Sequence, residues 1–498
     1  MADVAAWTGA RLLPGGGGSA GDVVVTGLSL SSQRIVPGDL YAAVPGARAH
    51  GASYVVDALA SGAVAVLTDE EGAGLLPDLP PGTPVLVVED PRRVLGSLGA
   101  RLYGDPATKL TLMAVTGTQG KTTITRLLEG ALTASGVRAA VVGTVGTRIA
   151  GQEVRTALTT PEAPDLHALF AVMVEQQVTA CAMEVSSHAL VMGRVDGVVF
   201  DVAAFSNLGR DHLDFHRDVE DYFAAKASLF TPAHSRRGLT NLDDEHGRRL
   251  LEEAQVPMAT FSTTGREADW RVEDVVLERD GSTFTVVTPT GERIPARVPL
   301  TGEFNVSNAL CALALAGEAG LDPAQVAAGL ASGGGVPGRL ERVDEGQDFL
   351  VVVDYAHKPD AVEAALGALR PLTTGRLILV IGAGGDRDAG KRPLMGEIGA
   401  RLADVLVVTD DNPRSEDPAA IRAAVLAGAA QVAGAEVEEV PDRRTAIRRA
   451  IADARPGDTV VVAGKGHETG QEVAGTVHPF DDRDEVAAAL RERLGEDA

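Results

Sequence analysis

Short apolar runs bounded by glycine, proline, asparagine or aspartate recur along the chain and alternate with longer stretches of helical spacing. A parallel strand is covered on both faces, so it reads as a continuous apolar run and not as alternation. On that rule residues 23–26 and 63–68 are strands of a small α/β module. Residues 110–116, 139–143, 179–185 and 198–205 form a second set with a helix over 124–134, and their alternation with helices predicts a parallel sheet. Between 270 and 300 apolar and polar residues alternate around Asp280-Gly281 and Thr290-Gly291, which predicts antiparallel hairpins appended to that sheet. A last set of runs, 349–353, 377–381, 405–408 and 459–462, restores the parallel pattern. The rhythm breaks at the turn-rich stretch 103–109 and at the glycine-bearing connector 332–338. The chain is therefore expected to be α/β in three domains: a small N-terminal α/β domain (1–108), a central domain of parallel sheet plus antiparallel hairpins (109–335) and a C-terminal Rossmann-like domain (336–498). Gly15 to Gly18 reads as a short flexible loop.

A length of 498 residues suits three such domains of ordinary size. With 69 acidic against 45 basic residues the formal net charge is −24, which argues against nucleic acid or an anionic membrane as the principal partner. The two cysteines, Cys181 and Cys311, lie in apolar stretches, so a reducing, cytoplasmic setting is expected and not a disulfide framework. No signal-like N-terminus is present and no apolar run reaches the length of about 18 residues needed to span a bilayer. A soluble monomer is expected.

The sharpest chemical signal is Thr116-Gly117-Thr118-Gln119-Gly120-Lys121-Thr122-Thr123, a strand end running through a glycine turn into a helix. Gly117 and Gly120 let backbone N–H groups crowd round phosphate oxygens, Lys121 adds a positive charge, and the Thr122 hydroxyl is placed for Mg²⁺. The common eight-residue loop would need glycine at Val115, so a shorter form fits. A chance glycine turn is the bland alternative.

In the last domain four apolar strands each end in polar or glycine-bearing residues: Asp354-Tyr355-Ala356-His357, Gly384-Gly385-Asp386-Arg387, Asp411-Asn412-Pro413-Arg414 and Gly464-Lys465-Gly466-His467-Glu468. Ligands of open parallel sheets bind outside the carboxyl ends of the strands, so four such ends in succession favour one cleft. Arg387 stands where a dinucleotide motif needs its third glycine, which weakens a hydride-transfer reading.

Taken in order, these strings resemble the Mur ligases, the ATP-dependent amide-bond formers of peptidoglycan precursor synthesis, and among them the MurE type that adds the third stem-peptide residue. The resemblance also rests on Thr159-Thr160-Pro161, on Glu184-Val185-Ser186-Ser187-His188 and on the run from Asn207 through Arg210, Asp211 and His212 to Asp214. Gly302-Glu303-Phe304-Asn305-Val306-Ser307-Asn308 completes it. Gln119 stands where most of the family carries asparagine.

That resemblance implies a reaction and its residues. ATP would phosphorylate the free D-glutamate carboxylate of UDP-N-acetylmuramoyl-L-alanyl-D-glutamate, and the amine of diaminopimelate would displace phosphate from the acyl phosphate. Gly117, Thr118, Gln119, Gly120, Lys121, Thr122 and Thr123 would hold the triphosphate, with Asn305, Asn308, Arg339, Asp354 and His357 completing the ATP contacts. Helix capping is the rival reading of either asparagine. Thr122 and Glu184 would hold Mg²⁺, and His212 with Lys226 would serve a second metal, Lys226 being carbamylated by CO₂ in this family. By residue type alone a lysine on an apolar helix is more often a surface residue whose head snorkels to water.

For the UDP-sugar dipeptide the family match points to Leu30 and Ser32, more loosely to Ala47, Arg48 and Ala49, and to Thr159, Thr160, Ser186 and Arg194. Met192 replaces a glutamine used by some relatives. For the incoming amino acid it points to Arg387, Asp411, Asn412, Pro413, Arg414, Gly464 and Glu468. The arginine of Asp411-Asn412-Pro413-Arg414 marks relatives that add diaminopimelate, because a guanidinium binds the distal carboxylate bidentately and disfavours the ammonium of lysine. A structural salt bridge is the alternative for Arg414. Two rivals stay open: a folylpoly-γ-glutamate synthetase of the same fold, and a P-loop switch that hydrolyses nucleotide without joining substrates.

Overall fold

A computed structural model describes residues 1–13, 23–46 and 49–495. The loop expected at Gly15 to Gly18 and the loose match at Ala47 and Arg48 lie outside the described residues. The chain forms two compact units, one of Met1–Phe261 with Cys311–Val326, the other of Ser262–Leu310 with the chain from Ala327 onward.

The first unit holds two sheets. The smaller runs in the order Arg11–Leu13, Val85–Val87, Ala65–Thr68, Asp39–Ala42, Gly27–Ser29, parallel except for its first strand. The strand expected at 23–26 does not form; pairing begins at Gly27 and Val24 is left 73% exposed. Register decides this against β propensity. A Cβ at Gly27 would stand 2.1 Å from the Asp39 carboxylate, so any larger residue would have to displace that side chain to pair there.

The larger sheet places six parallel strands side by side: Met258–Ser262, Gly238–Asn241, Val202–Phe205, Thr111–Thr116, Ala180–Glu184 and Ala139–Val142. The last carries an antiparallel hairpin of Thr147–Ile149 and Gln152–Val154. Its inner strands are buried along their length except at Thr111, as the unbroken apolar runs require. The run expected at 198–205 narrows to Val202–Phe205 because Asp201 turns its carboxylate to the Leu112 amide, at 2.9 Å. Helix Pro91–Leu102 of the small module packs on helix Ala163–Glu175 of the larger one, and a Cβ on Gly96 would stand 2.1 Å from the Asp196 carbonyl oxygen. The two sheets of this unit are thus held together by close backbone approach.

In the second unit Trp270–Glu278, Gly281–Val287 and Arg293–Val298 are antiparallel, turning at the two expected places. A six-stranded sheet follows in the order Glu341–Arg342, Leu350–Asp354, Thr459–Ala463, Leu377–Ile381, Val405–Val408, Glu436–Glu439, antiparallel only at its first strand. Four neighbouring parallel strands therefore end side by side at Asp354, Ala463, Ile381 and Val408, the edge expected to carry ligand contacts. Among the described residues no helix is long and apolar enough to cross a membrane.

Candidate active site

Strand Thr111–Thr116 ends in the glycine turn, and helix Lys121–Ala134 begins at once behind it. Gly117 has φ +150°, and a Cβ there would meet the Ser206 hydroxyl at 2.0 Å; Gly120, at φ +85°, caps the helix. The turn is braced from below: Thr118 N donates to the Asn207 carbonyl at 2.9 Å, and Gln119 N to the Asn207 side chain at 2.9 Å. Lys121 Nζ curls back onto the carbonyls of Gly117 (2.7 Å) and Thr118 (3.1 Å). Thr122 and Thr123 are buried in the first helical turn, where the helix dipole favours anions.

Glu184 closes the neighbouring strand, in register with Val115. Its carboxylate is buried and held by Thr144, whose amide donates at 2.8 Å and whose hydroxyl donates at 3.1 Å. Sequence reading missed Thr144, although it follows a glycine at the end of strand Ala139–Val142. Thr159 meets the same hydroxyl at 3.1 Å, and Thr160, fully buried, donates to the Glu184 carbonyl at 2.9 Å. Ser186 caps helix Ser187–Val191. Arg194 is paired to Glu162 at 3.0 Å, donates to the Thr160 carbonyl, and has its other nitrogen 3.3 Å from the Met192 sulfur. Leu30 packs on the core of the small module and Ser32 starts the turn Ser32–Arg34, whose Arg34 pairs with Asp165.

Lys226 differs from the surface lysine that residue type alone would suggest. It sits on helix Val219–Ala227 and is 1% exposed. Its Nζ donates to the Gly117 carbonyl at 2.8 Å and lies 4.6 Å from the centre of the Tyr222 ring. Two ammonium groups, from Lys121 and Lys226, thus converge on one carbonyl of the phosphate turn. His212 occupies a left-handed position (φ 52°) and is half-exposed beside Asp211. It meets His188, a residue to which sequence reading gave no role, with ring centres 4.7 Å apart, and His188 in turn stacks on Phe215 at 3.9 Å. Burial, with His216 close by, pushes the His188 pKa down.

In the second unit Asn305 and Asn308 lie buried one turn apart on helix Glu303–Glu318. Asn305 donates to the Thr301 carbonyl at 2.8 Å and accepts from Asn308 at 3.2 Å. Asp354 takes the amides of Leu340 and Ala356 at 2.7 and 2.8 Å, and burial raises its carboxyl above the usual range. The Arg339 guanidinium lies over the Tyr355 ring at 4.6 Å. Desolvation, with the ammonium groups of Lys358 and Lys391 nearby, pushes His357 down from 6.5 to about 3. A histidine whose folded pKa is depressed stabilises the fold fully above its unfolded pKa, and that contribution is lost as pH falls from 6.5 towards about 3. Denaturant unfolding across this window should show stability falling with pH, less steeply in His357→Gln; equal slopes would rule His357 out as a source.

At the other strand ends the structure brings Asp411, Asn412, Arg414, Gly464 and Glu468 together. Asn412 donates to Glu468 at 2.8 Å, and Gly464 (φ +116°) leaves room for the Asp411 carboxylate, which a Cβ would approach to 3.0 Å. Pro413 backs onto Gly385, where a Cβ would stand 2.0 Å from the proline carbonyl oxygen. Arg414 donates to the Gly385 carbonyl at 2.6 Å and faces Glu472 at 3.4 Å. Arg387 is exposed on the loop after Leu377–Ile381. Lys465, fully buried, is the centre of this group, and no role had been read for it.

Comparison with known proteins accounts for this layout. Family models match residues 24–103 as "Mur ligase family, catalytic domain", 115–316 as "Mur ligase middle domain" and 338–466 as "Mur ligase, glutamate ligase domain". The UDP-N-acetylmuramoyl-L-alanyl-D-glutamate--2,6-diaminopimelate ligase of Streptomyces avermitilis is 56% identical over 95% of this chain and 94% of its own. The ligase of the same name from Corynebacterium glutamicum is 50% identical over 96% and 94%. A solved structure of a ligase with that name, 35% identical, superposes with a TM-score of 0.67 and covers 94% of this chain and 95% of its own. A glycine turn opening a helix beside a buried carboxylate, a second parallel sheet ending in charged loops, and similarity to these enzymes over nearly the whole chain lead to one conclusion: the chain belongs to the Mur ligase family of ATP-dependent amide-bond-forming ligases.

Proposed function

We propose that the chain joins diaminopimelate to the D-glutamyl residue of UDP-N-acetylmuramoyl-L-alanyl-D-glutamate, at the expense of ATP, in peptidoglycan precursor synthesis. The observation that carries this reading is the junction of Arg414, Asn412 and Glu468 from two strand ends of the last sheet, either side of Leu377–Ile381. A guanidinium suits a distal carboxylate, and a carboxylate suits a distal ammonium. The relatives that share most of this sequence bear the matching name. The division into a UDP-binding domain (1–108), an ATP-binding domain (109–335) and an amino-acid-binding domain (336–498) belongs to the same proposal.

In the reaction the γ-phosphoryl group of ATP passes to a free carboxylate oxygen of the glutamyl residue, leaving ADP. The amine then attacks the acyl carbon, the bond to phosphate breaks, and the nitrogen loses a proton. Lys121 and the amides of the glycine turn would hold the triphosphate and counter its charge, so most of the catalysis is positioning and electrostatics. The buried Glu184 carboxylate and the Thr122 hydroxyl fit Mg²⁺, which needs few protein ligands beside phosphate oxygens and water. When bound, the metal would neutralise charge on the phosphoryl group. Carbamylation of Lys226, with His212 as its partner at a second metal, is part of the proposal. Thr159, Thr160, Ser186 and Arg194 would hold the muramoyl dipeptide, with Leu30 and Ser32 at its nucleotide end.

Phosphate release tests the reading. It should require both the UDP-muramoyl dipeptide and diaminopimelate, and lysine should substitute poorly. Release that ignores both co-substrates would favour a nucleotide switch, and release driven by a folate and glutamate would favour a folylpolyglutamate synthetase. Either result overturns the proposal.

A further inference from the structure

Lys465 is the one lysine of the loop after Thr459–Ala463, and its side chain has 0% exposure. Its Nζ donates to the Asn412 side-chain oxygen at 3.2 Å, to one Glu468 oxygen at 3.2 Å and to the Gly470 carbonyl at 2.6 Å. Asp411 lies 3.8 Å away. These bonds settle which way Asn412 faces. Its oxygen takes Lys465 and the Glu472 amide, so its NH₂ must point at Glu468, which it meets at 2.8 Å. The same Glu468 oxygen, Oε2, therefore accepts from both Lys465 and Asn412, and among the described residues no hydrogen bond takes Oε1.

Charge tells the same story. Asp411, Glu468 and Glu472 outnumber Lys465 and Arg414 by one, so the site as a whole, Arg414 included, carries one excess negative charge. A buried ammonium with three acceptors offsets its desolvation only if all of them stay in place, so the arrangement resists rotation of either neighbour.

We infer that Lys465 is a positioning and specificity-determining residue of the amino-acid site. It presets Asn412 and Glu468 and sets the net charge that the distal end of diaminopimelate meets. This rests on the proposed function. Losing Lys465 leaves two excess negative charges, which favours a purely cationic side chain, so Lys465→Met should shift preference from diaminopimelate towards lysine.

The experiment is steady-state kinetics of Lys465→Met with diaminopimelate and with lysine, the wild type run alongside. KM for diaminopimelate should rise about tenfold or more, kcat should fall less, and KM for ATP and for the UDP-muramoyl dipeptide should stay within about threefold. The ratio of diaminopimelate to lysine use should fall. A wild type that ignores diaminopimelate sinks the functional reading itself. With the wild type active, an unchanged KM and ratio in the variant overturn the role of Lys465, as does an equal rise in all three KM values. If Lys465→Met does not melt cooperatively, Lys465→Gln is read in the same way, and failure of both to fold assigns the ammonium to stability alone and overturns the proposal.

Discussion

Lys226→Ala should lose most of the ligase activity, with kcat down on the order of 10²–10³-fold, the usual cost of removing one group that answers charge on the reacting atoms. The helix that carries it is fixed by Tyr222, whose hydroxyl meets Thr118 at 3.1 Å, so Lys226 reaches the phosphate turn from a braced support. The buried ammonium bonds the same carbonyl that Lys121 takes, and the second positive charge can serve in two ways. As an ammonium it would counter phosphate charge directly. As a carbamate, formed when the amine loses a proton and adds CO₂, it would supply acceptor oxygens for a metal or its water. Bicarbonate separates the two: added bicarbonate should raise the rate of CO₂-depleted wild-type enzyme and leave the alanine variant unmoved. Alanine-variant rates equal to wild type would remove Lys226 from the reaction. Rates of depleted enzyme indifferent to bicarbonate would leave the residue as a cation and remove the carbamate.

Arg414→Ala is expected to cost about 2–5 kcal/mol in discrimination between diaminopimelate and lysine, by analogy with truncating one partner of a buried charge pair. That is roughly thirtyfold to several thousandfold in the ratio of kcat/KM values. Stability should hardly change. The pair with Glu472 is partly exposed on both sides, 23% and 39%, and such a pair is worth about 0–1 kcal/mol. The remaining bond goes to the Gly385 carbonyl, which water can replace at this accessibility. An arginine present only to bridge Glu472 and Gly385 would give the reverse pattern, a lower melting temperature with the substrate ratio intact. Measuring both on one preparation decides between them.

The two largest effects fall on residues that differ in how far they could be read in advance. For Arg414, local sequence gave only the position, a guanidinium after an apolar run in a parallel domain, and the role at the distal carboxylate came from the family resemblance. For Lys226, residue type alone pointed to a surface head, and only the family resemblance pointed inward. Its partner, the Gly117 carbonyl, is 109 positions away. His188 and Lys465 were in plain sight within strings already singled out, and Thr144 directly follows the strand read at 139–143, yet nothing in their immediate neighbours marked them. Their roles come from Phe215, Glu184 and Asn412, which other elements deliver. The misplaced strand at 23–26 has the same origin: a β-branched run carries the propensity, and the register with Asp39 chose Gly27 instead.

What the sequence determined by itself was every feature whose physics closes within a few residues. These are the apolar runs that become buried strands, the glycines at φ +150° and +85° that open the phosphate turn, and the polar residues that end four strands of the last sheet. Tertiary structure alone decided strand order, and with it which distant side chains share a site. Thr459–Ala463 inserts between Leu350–Asp354 and Leu377–Ile381, carrying Lys465 and Glu468 to Asn412. Backbone preference and burial periodicity are short-range and leave a mark on neighbouring residues, whereas a contact between separate elements depends on how whole sheets assemble.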